Sequence, residues 1–278
     1  MISLSYPCNS IPLSVSEFNS SLSALGVDAA TVWTILEVES GKSGFLADRR
    51  PQILFERAVF HTRTKGAWDA SNPNVSAPTW GGYSGGAAEY GRLAEAYKLS
   101  PDDALQSASW GIAQVMGFNF SPGGYQSASD FVQSCCTSEA TQLQAFVSFL
   151  QHTGIAASLQ AHDWDSVARR YNGDGNVAVY SAKLQASYAM LQNPAALPDV
   201  NVRAAQSYLT YLSILPGNQS YNPGGIDGII GSPGKSKTLA ALTAFQTAQQ
   251  SPVTNAIDDD VVAALANALP AASDLVLG

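Results

Sequence analysis

The stretch LEVESGKSGF, residues 36–45, sets two carboxylates two positions apart, Glu37 and Glu39, at the end of a helix-forming run. Side chains two apart on a helix do not share a face, so these acids cannot act there as a pair. At ~100° per residue, Val32 and Leu36 form one stripe with Ala29 and Ile35 beside it. Glu39 falls in the middle of that stripe, and Glu37 falls near the opposite side with Ala30 and Thr34. The helix therefore turns Glu39 toward apolar surroundings and Glu37 toward water. A carboxyl group in an apolar setting keeps its proton to higher pH and can hand it to a leaving oxygen. The plainer alternative is a helix-end glutamate that reaches water or one of the arginines Arg49 and Arg50.

Other residues have types suited to the same chemistry. Glu56 follows the apolar run Ile53-Leu54-Phe55. In a strand it shares a face with Leu54, while Ile53 and Phe55 take the other; an ion pair with Arg50 or Arg57 is the alternative. In SWGIAQVMG, residues 109–117, Gly111 lets a backbone approach a ligand closely and Gln114 offers both donors and an acceptor. Trp110 either stacks on a ligand face or belongs to the core. Tyr171 and Asn172, in ARRYNG at 168–173, line a site or simply end a helix before Gly173. Ser40 either bonds in a cleft or caps the chain end.

Helical patterns supply most of the frame. Residues 14–26 and 28–40 read as two helices broken at Gly26. Residues 41–90 are rich in Gly, Pro, Asn, Ser and Trp, with PQILFERAVF as an apolar island that is a strand or a helix start. The segment WDASNPNVSAPTWGGYSGG is a long loop, of a length that is usually functional in a compact domain. Helical patterns resume through residues 87–117, 127–154 and 155–192, with room for a small sheet or hairpin. NPAALPDV, 193–200, reads as a linker. After it come three short helices around VRAAQSYLTYLSIL, TLAALTAFQTAQQ and DDDVVAALANAL, the last with aspartates suited to its N-terminal dipole.

Composition narrows the classes. Of 278 residues, 46% are hydrophobic, enough for a sizeable core, and the formal charge is −8. That balance argues against a nucleic-acid binder, which shows a basic stripe. Cys8, Cys135 and Cys136 form no CxxC pattern, and His61, His152 and His162 show no ligand spacing, so no metal and no cofactor is expected. No disulfide framework is read, although a pairing of Cys8 with one of the others stays open. The N-terminus lacks the basic start and long apolar run of a signal peptide, and no run approaches the ~18 apolar residues of a membrane span. A chain made in the cytoplasm, acting as a monomer, is expected.

Three motifs in order, ES at a helix end, SWGIAQVMG and ARRYNG, resemble the signature motifs of goose-type lysozymes and soluble lytic transglycosylases. A narrower resemblance covers roughly residues 10–192: EVESGKSGFLADRRPQILFERAVFHTRT, followed by the SWG and YNG stretches, is similar to the N-acetylmuramidase domain of phage endolysins. The resemblance implies a mainly α, lysozyme-like catalytic domain over residues 1–192, with a small sheet or hairpin. It implies Glu39 as general acid and Glu56 as second carboxylate, with Ser40, Trp110, Gly111, Gln114, Tyr171 and Asn172 about the substrate. Two carboxyl groups suit glycoside cleavage, ~5 Å apart for retention or ~6.5–9.5 Å for inversion.

Beyond a linker at 193–199, residues 200–278 resemble a small three-helix peptidoglycan-binding domain. Asp227, Gly228, Ile229, Gly231, Thr238, Phe245 and Gln246 match its pattern, while SPGKSK is longer than its usual turn. A structural module without a ligand is the alternative there. The expected function is therefore a peptidoglycan hydrolase cutting between N-acetylmuramic acid and N-acetylglucosamine, reaching the wall after holin-type release. A lytic transglycosylase and a non-catalytic wall-binding protein are the competing expectations. A Cys/His amidase using Cys135 or Cys136 with His152 is disfavoured, because those cysteines suit a buried helix face.

Overall fold

The computed structural model describes residues 4–41, 43–272 and 274–277. In chain order its elements begin with β1 (Leu4–Pro7), α1 (Val15–Leu25), α2 (Ala29–Ser40), β2 (Ile53–Phe55), α3 (Arg57–Arg63), α4 (Glu89–Leu99) and α5 (Pro101–Gln106). Next are β3 (Ala108–Trp110), β4 (Val115–Met116), α6 (Ala128–Thr137), α7 (Glu139–His152), α8 (Ile155–Gln160), α9 (Trp164–Asn172) and α10 (Val177–Leu191). The chain ends with α11 (Val200–Ser213), α12 (Lys237–Ala248), α13 (Asp259–Asn267) and β5 (Asp274–Leu277). Helix dominates and the strands are short, the fold class the patterning led to.

Packing separates the chain into two compact units. The first gathers Met1–Ile11, Gly44–Gly154 and Ala272–Gly278. Its three-stranded antiparallel sheet has the order β2-β3-β4, with Ile53 opposite Trp110 and Phe55 opposite Ala108. Strand alternation is visible in β2, where Ile53 and Phe55 are buried and Leu54 is half-buried. A second antiparallel pair joins β1 to β5, with Leu4 opposite Leu277 and Tyr6 opposite Leu275. The inward residues of β5, Leu275 and Leu277, are buried. Cys8, Cys135 and Cys136 are all free and buried in this unit.

The second unit gathers Pro12–Ser43 and Ile155–Ala271. Helix α1 starts with a capping box, in which Ser14 accepts from the Glu17 N–H and the Glu17 carboxylate accepts from the Ser14 N–H. Helix α2 starts at Asp28, whose side chain accepts from the Thr31 N–H, and stops at Gly41 with φ 60°. Between those ends Val32, Trp33, Ile35 and Leu36 are buried. Helix α10 packs along α2 and α9. Helix α11 buries Arg203, whose guanidinium lies 5.8 Å from the centre of the Trp33 ring. Residues 193–199, expected as a linker, contain a short 3-10 turn at Pro194–Ala196. Packing therefore groups the three C-terminal helices with α1 and α2, a division that does not follow the sequence-based partition.

Two other stretches differ from their helical reading. Residues 107–117 form the β3–β4 hairpin, because Gly111 at φ 73° and Gln114 at φ 49° turn the chain and β2 offers a pairing edge. Residues 127–154 form two helices rather than one, since Ser138 is fully extended at φ −158° and caps α7 through the Thr141 N–H. Among the described residues no single helix is long and apolar enough to cross a membrane.

Candidate active site

Glu39 sits in the last turn of α2 and is partly exposed, like its neighbour Glu37. Protein surrounds enough of its carboxyl that burial pushes its pKa from 4.5 up to about 8. No cation pairs with it among the described residues; its hydrogen-bond partner is the Tyr180 hydroxyl of α10, which donates to Oε1. The hydroxyl of half-buried Tyr171 is held well above its ordinary range, by desolvation first and then by the charge of Glu39, so it stays neutral. Glu37 was expected to face water; it accepts instead from the Ser187 hydroxyl at 3.0 Å. The two glutamates thus meet the same neighbouring helix.

Antiparallel packing of α10 on α2 explains these partners. Tyr180 meets Glu39, and Tyr188 donates to Asp28 at the other end of α2. Tyr180, Ser187 and Tyr188 recur at seven- and eight-residue intervals, the spacing of one helix face. That hydroxyl stripe was the signal available in the sequence for Tyr180, which motif reading missed.

Glu56 lies in the first unit, at the junction of β2 and α3, and is 9% exposed. Its backbone is extended at φ −103°, and its N–H donates to the Ser107 carbonyl at 2.8 Å. The Tyr83 hydroxyl sits 3.0 Å from Oε2 and 3.2 Å from Oε1. Desolvation raises the Glu56 pKa, opposed by the Tyr83 hydrogen bond and the positive charge of Arg92, while Glu89 adds to the rise. The expected alternatives for Arg50 and Arg57 are occupied elsewhere: Arg50 pairs with Asp48 at 2.6 Å, and Arg57 holds the backbone at Thr79 and Trp80.

The SWGIAQVMG residues have structural employment. Trp110 is 1% exposed and its indole N–H donates to the Leu105 carbonyl at 3.1 Å, so its ring belongs to the core rather than to a sugar-facing surface. Gly111 is needed because a Cβ there would meet the Gln142 side chain at 2.5 Å. Gln142 itself accepts the Ile112 N–H and donates to the Cys135 carbonyl. The Gln114 amide closes the hairpin, accepting from the Ser109 hydroxyl at 2.8 Å and donating to the carbonyls of Gln52 and Gly111. The expectation that Trp110 faces substrate is corrected on this ground, because burial takes the indole; Gln114, half-buried, is engaged by protein at both ends of its amide. Ser40 is buried and donates back to the Leu36 carbonyl at 3.1 Å. Asn172 ends α9, and Gly173 follows with its N–H on the Arg169 carbonyl; the Asn172 side chain lies outside what is described.

In the C-terminal helices the D-G-x-x-G residues build a turn around buried Gln206. Its amide nitrogen donates to Asp227 Oδ1 and Thr238 Oγ1, at 2.9 and 3.0 Å. Its oxygen accepts the N–H groups of Asp227 and Gly228. Gly228, at φ 73°, lies so close to Pro198 that a Cβ would meet it at 2.6 Å. Gly231 also needs positive φ, at 73°. Asp227, Gly228, Gly231 and Thr238 therefore serve the shape of this turn. A pocket of about 190 Å³ in the second unit is lined by Leu242, Phe245, Gln246, Pro252, Val261 and Ala264, among others.

No group of His, Cys, Asp and Glu suited to a metal ion occurs among the described residues. Within the second unit, the Glu39 carboxyl is held toward its acid form, which suits proton transfer to an oxygen leaving group; within the first unit, Glu56 is a buried carboxyl group bound by a tyrosine.

The family model for N-acetylmuramidase matches residues 28–192. Among solved structures, the chain is similar to that of the Burkholderia AP3 phage endolysin, at 37% identity and a TM-score of 0.59, covering 67% of this chain and 73% of that one. No curated protein matches.

Proposed function

The chain belongs to the N-acetylmuramidase family, and from that premise we propose that it cleaves the glycosidic bond between N-acetylmuramic acid and N-acetylglucosamine with Glu39 as general acid. It is a glycoside hydrolase acting on peptidoglycan. The observation that carries the finer reading is the Glu39 carboxyl, held by burial at a pKa of about 8. At neutral pH most of the population then carries the proton that the bridging oxygen needs when the glycosidic C–O bond breaks. The transition state leaves positive charge at the sugar carbon. A second carboxylate answers that charge or deprotonates the attacking water, and Glu56 is our assignment for it. Burial raises the Glu56 pKa as well, but there the Tyr83 hydrogen bond and the Arg92 charge work against the rise, whereas at Glu39 desolvation acts unopposed; unequal environments of this kind suit an acid and its partner. The Tyr180 hydroxyl keeps the Glu39 carboxyl in place.

Mass spectrometry of fragments from purified peptidoglycan tests the reading. Fragments ending in reducing muramic acid are expected, and Glu56→Gln is expected to slow their release by about 10²-fold or more. Anhydro-muramic ends together with full activity of Glu56→Gln point instead to attack by the sugar's own hydroxyl, the transglycosylase route. We further infer a phage-lysis setting, from the similarity to a phage endolysin, and wall attachment through residues 200–278. A weak binder tethered to the catalytic part raises its local concentration on an insoluble polymer.

A further inference from the structure

Trp80 is 64% exposed and Tyr83 47% exposed, and both belong to the irregular segment 79–85 of the first unit. Single exposed apolar residues are ordinary. What is not ordinary is how much buried polar machinery holds this segment in place. Arg57, the residue after Glu56, donates from Nε to the Thr79 carbonyl at 2.9 Å. Its Nη2 reaches Thr79 Oγ1 at 3.1 Å and the Trp80 carbonyl at 3.2 Å. Gly82, at φ 77°, permits that approach, since a Cβ there would meet Arg57 Nη1 at 3.0 Å. On the other side of Tyr83, the N–H groups of Ser84 and Gly85 both donate to Glu89 Oε1.

Glu89 and its ion-pair partner Arg92 are almost wholly buried, 2.8 Å apart. Glu89 Oε2 accepts the N–H of Phe55, and Arg92 Nη1 donates to the Phe55 carbonyl at 2.8 Å. Phe55 precedes Glu56. The segment is thus tied at its start to the residue after Glu56 and at its end to the residue before it. The Tyr83 hydroxyl then rests on Glu56 itself. A loop of this kind carries fixed aromatic surface at a fixed distance from a carboxylate.

We propose that residues 79–85 form a saccharide-stacking subsite beside Glu56, in which Trp80 takes the apolar face of an N-acetylated hexosamine and Tyr83 sets its position against the carboxylate. The proposal rests on the muramidase reading. A pyranose shows one face of C–H groups and a polar rim, which suits a flat indole with a hydrogen-bonding hydroxyl nearby. Arg57, the cation that holds the segment, is engaged with the Thr79 and Trp80 carbonyls and the Thr79 hydroxyl, so the segment presents its aromatic rings rather than that charge.

The test is calorimetric titration of the full chain with a peptide-free tetrasaccharide of alternating N-acetylglucosamine and N-acetylmuramic acid, in a Glu39→Gln background. Adding Trp80→Ala is expected to weaken Kd by about tenfold, and Trp80→Phe to restore most of that loss. The melting temperature should not move, because the ring is exposed. An unchanged Kd in Trp80→Ala, or a loss seen equally with the free stem peptide as titrant, overturns the subsite. Failure of the muramidase reading looks different: the unmutated chain would then release no fragments ending in reducing muramic acid from the same tetrasaccharide, whatever stands at position 80.

Discussion

At the scale of single residues, the demands on Glu39 conflict. Its position on the apolar stripe of α2 helps the helix only while the carboxyl stays neutral, and its pKa of about 8 keeps it so at neutral pH. In the unfolded chain the same group ionises near the ordinary value of 4.5. Between those two values the unfolded state releases a proton that the folded state keeps, so stability falls as pH rises through that window. Glu39→Gln removes the ionisation. Its melting temperature, followed by scanning calorimetry, should match the unmutated chain near pH 4 and exceed it near pH 8. Hydrolysis of soluble glycan should drop by about 10²–10⁴-fold in the same variant, and unmutated activity should decline above pH 8 as the acid form disappears. A variant that is more stable at pH 8 and inactive throughout would separate the proton's role from any damage to the fold. The apolar setting of Glu39 was legible in the sequence because it is local, three residues from Leu36 on one helix face. Tyr180 was not, since 141 positions separate it from Glu39 and only the packing of α10 brings them together.

At the scale of elements, the buried Glu89–Arg92 pair decides whether β2, α4 and the aromatic segment hold one arrangement. Removing one partner of such a pair leaves an uncompensated charge and costs about 3–5 kcal/mol. Arg92→Leu should lose stability of that order in urea unfolding, and catalytic rate with it. Adding Glu89→Gln should recover part of the stability, because a neutral amide carbonyl still accepts the Ser84 and Gly85 N–H groups. A double variant no better than Arg92→Leu alone would place the cost in packing rather than in charge. Helices with strong local signals were legible: the Ser14 and Asp28 caps and the breaks at Gly26 and Gly41 all act within a turn. The β3–β4 hairpin was not, because SASWGIAQVMG satisfies a helical pattern locally and becomes a sheet only when β2, more than 50 residues earlier, supplies the edge. The same limit hid the true employment of Trp110 and Gln114, whose partners Leu105 and Gln52 become visible once that hairpin exists.

At the scale of the whole chain, the question is whether residues 198–278 are separable from the residues that carry Glu39 and Glu56. Sequence motifs mark them as a module of their own, and the Gln206-centred turn is self-contained. Yet α11 packs against α1, and its buried Arg203 lies over the Trp33 ring of α2. Strand β5 pairs along β1 and buries Leu275 and Leu277. Four C-terminal residues of alternating burial are too short a signal to announce such a pairing in advance, and their partner lies at the opposite end of the chain. Burying two leucines alone contributes roughly 3–6 kcal/mol, before the exposure of Trp33 is counted. A chain ending at Leu197 should therefore melt about 10 °C lower or more, by circular dichroism. At 37 °C it should lose activity on the soluble tetrasaccharide as well as on whole sacculi. Deleting only residues 274–277 should give a smaller drop and leave binding to sacculi intact. If the chain ending at Leu197 instead melts unchanged and cleaves the soluble substrate at full rate, failing only on sacculi, then the C-terminal helices are a dispensable anchor. Their packing on α1 and α2 would in that case contribute nothing to the stability of the helix that carries the acid.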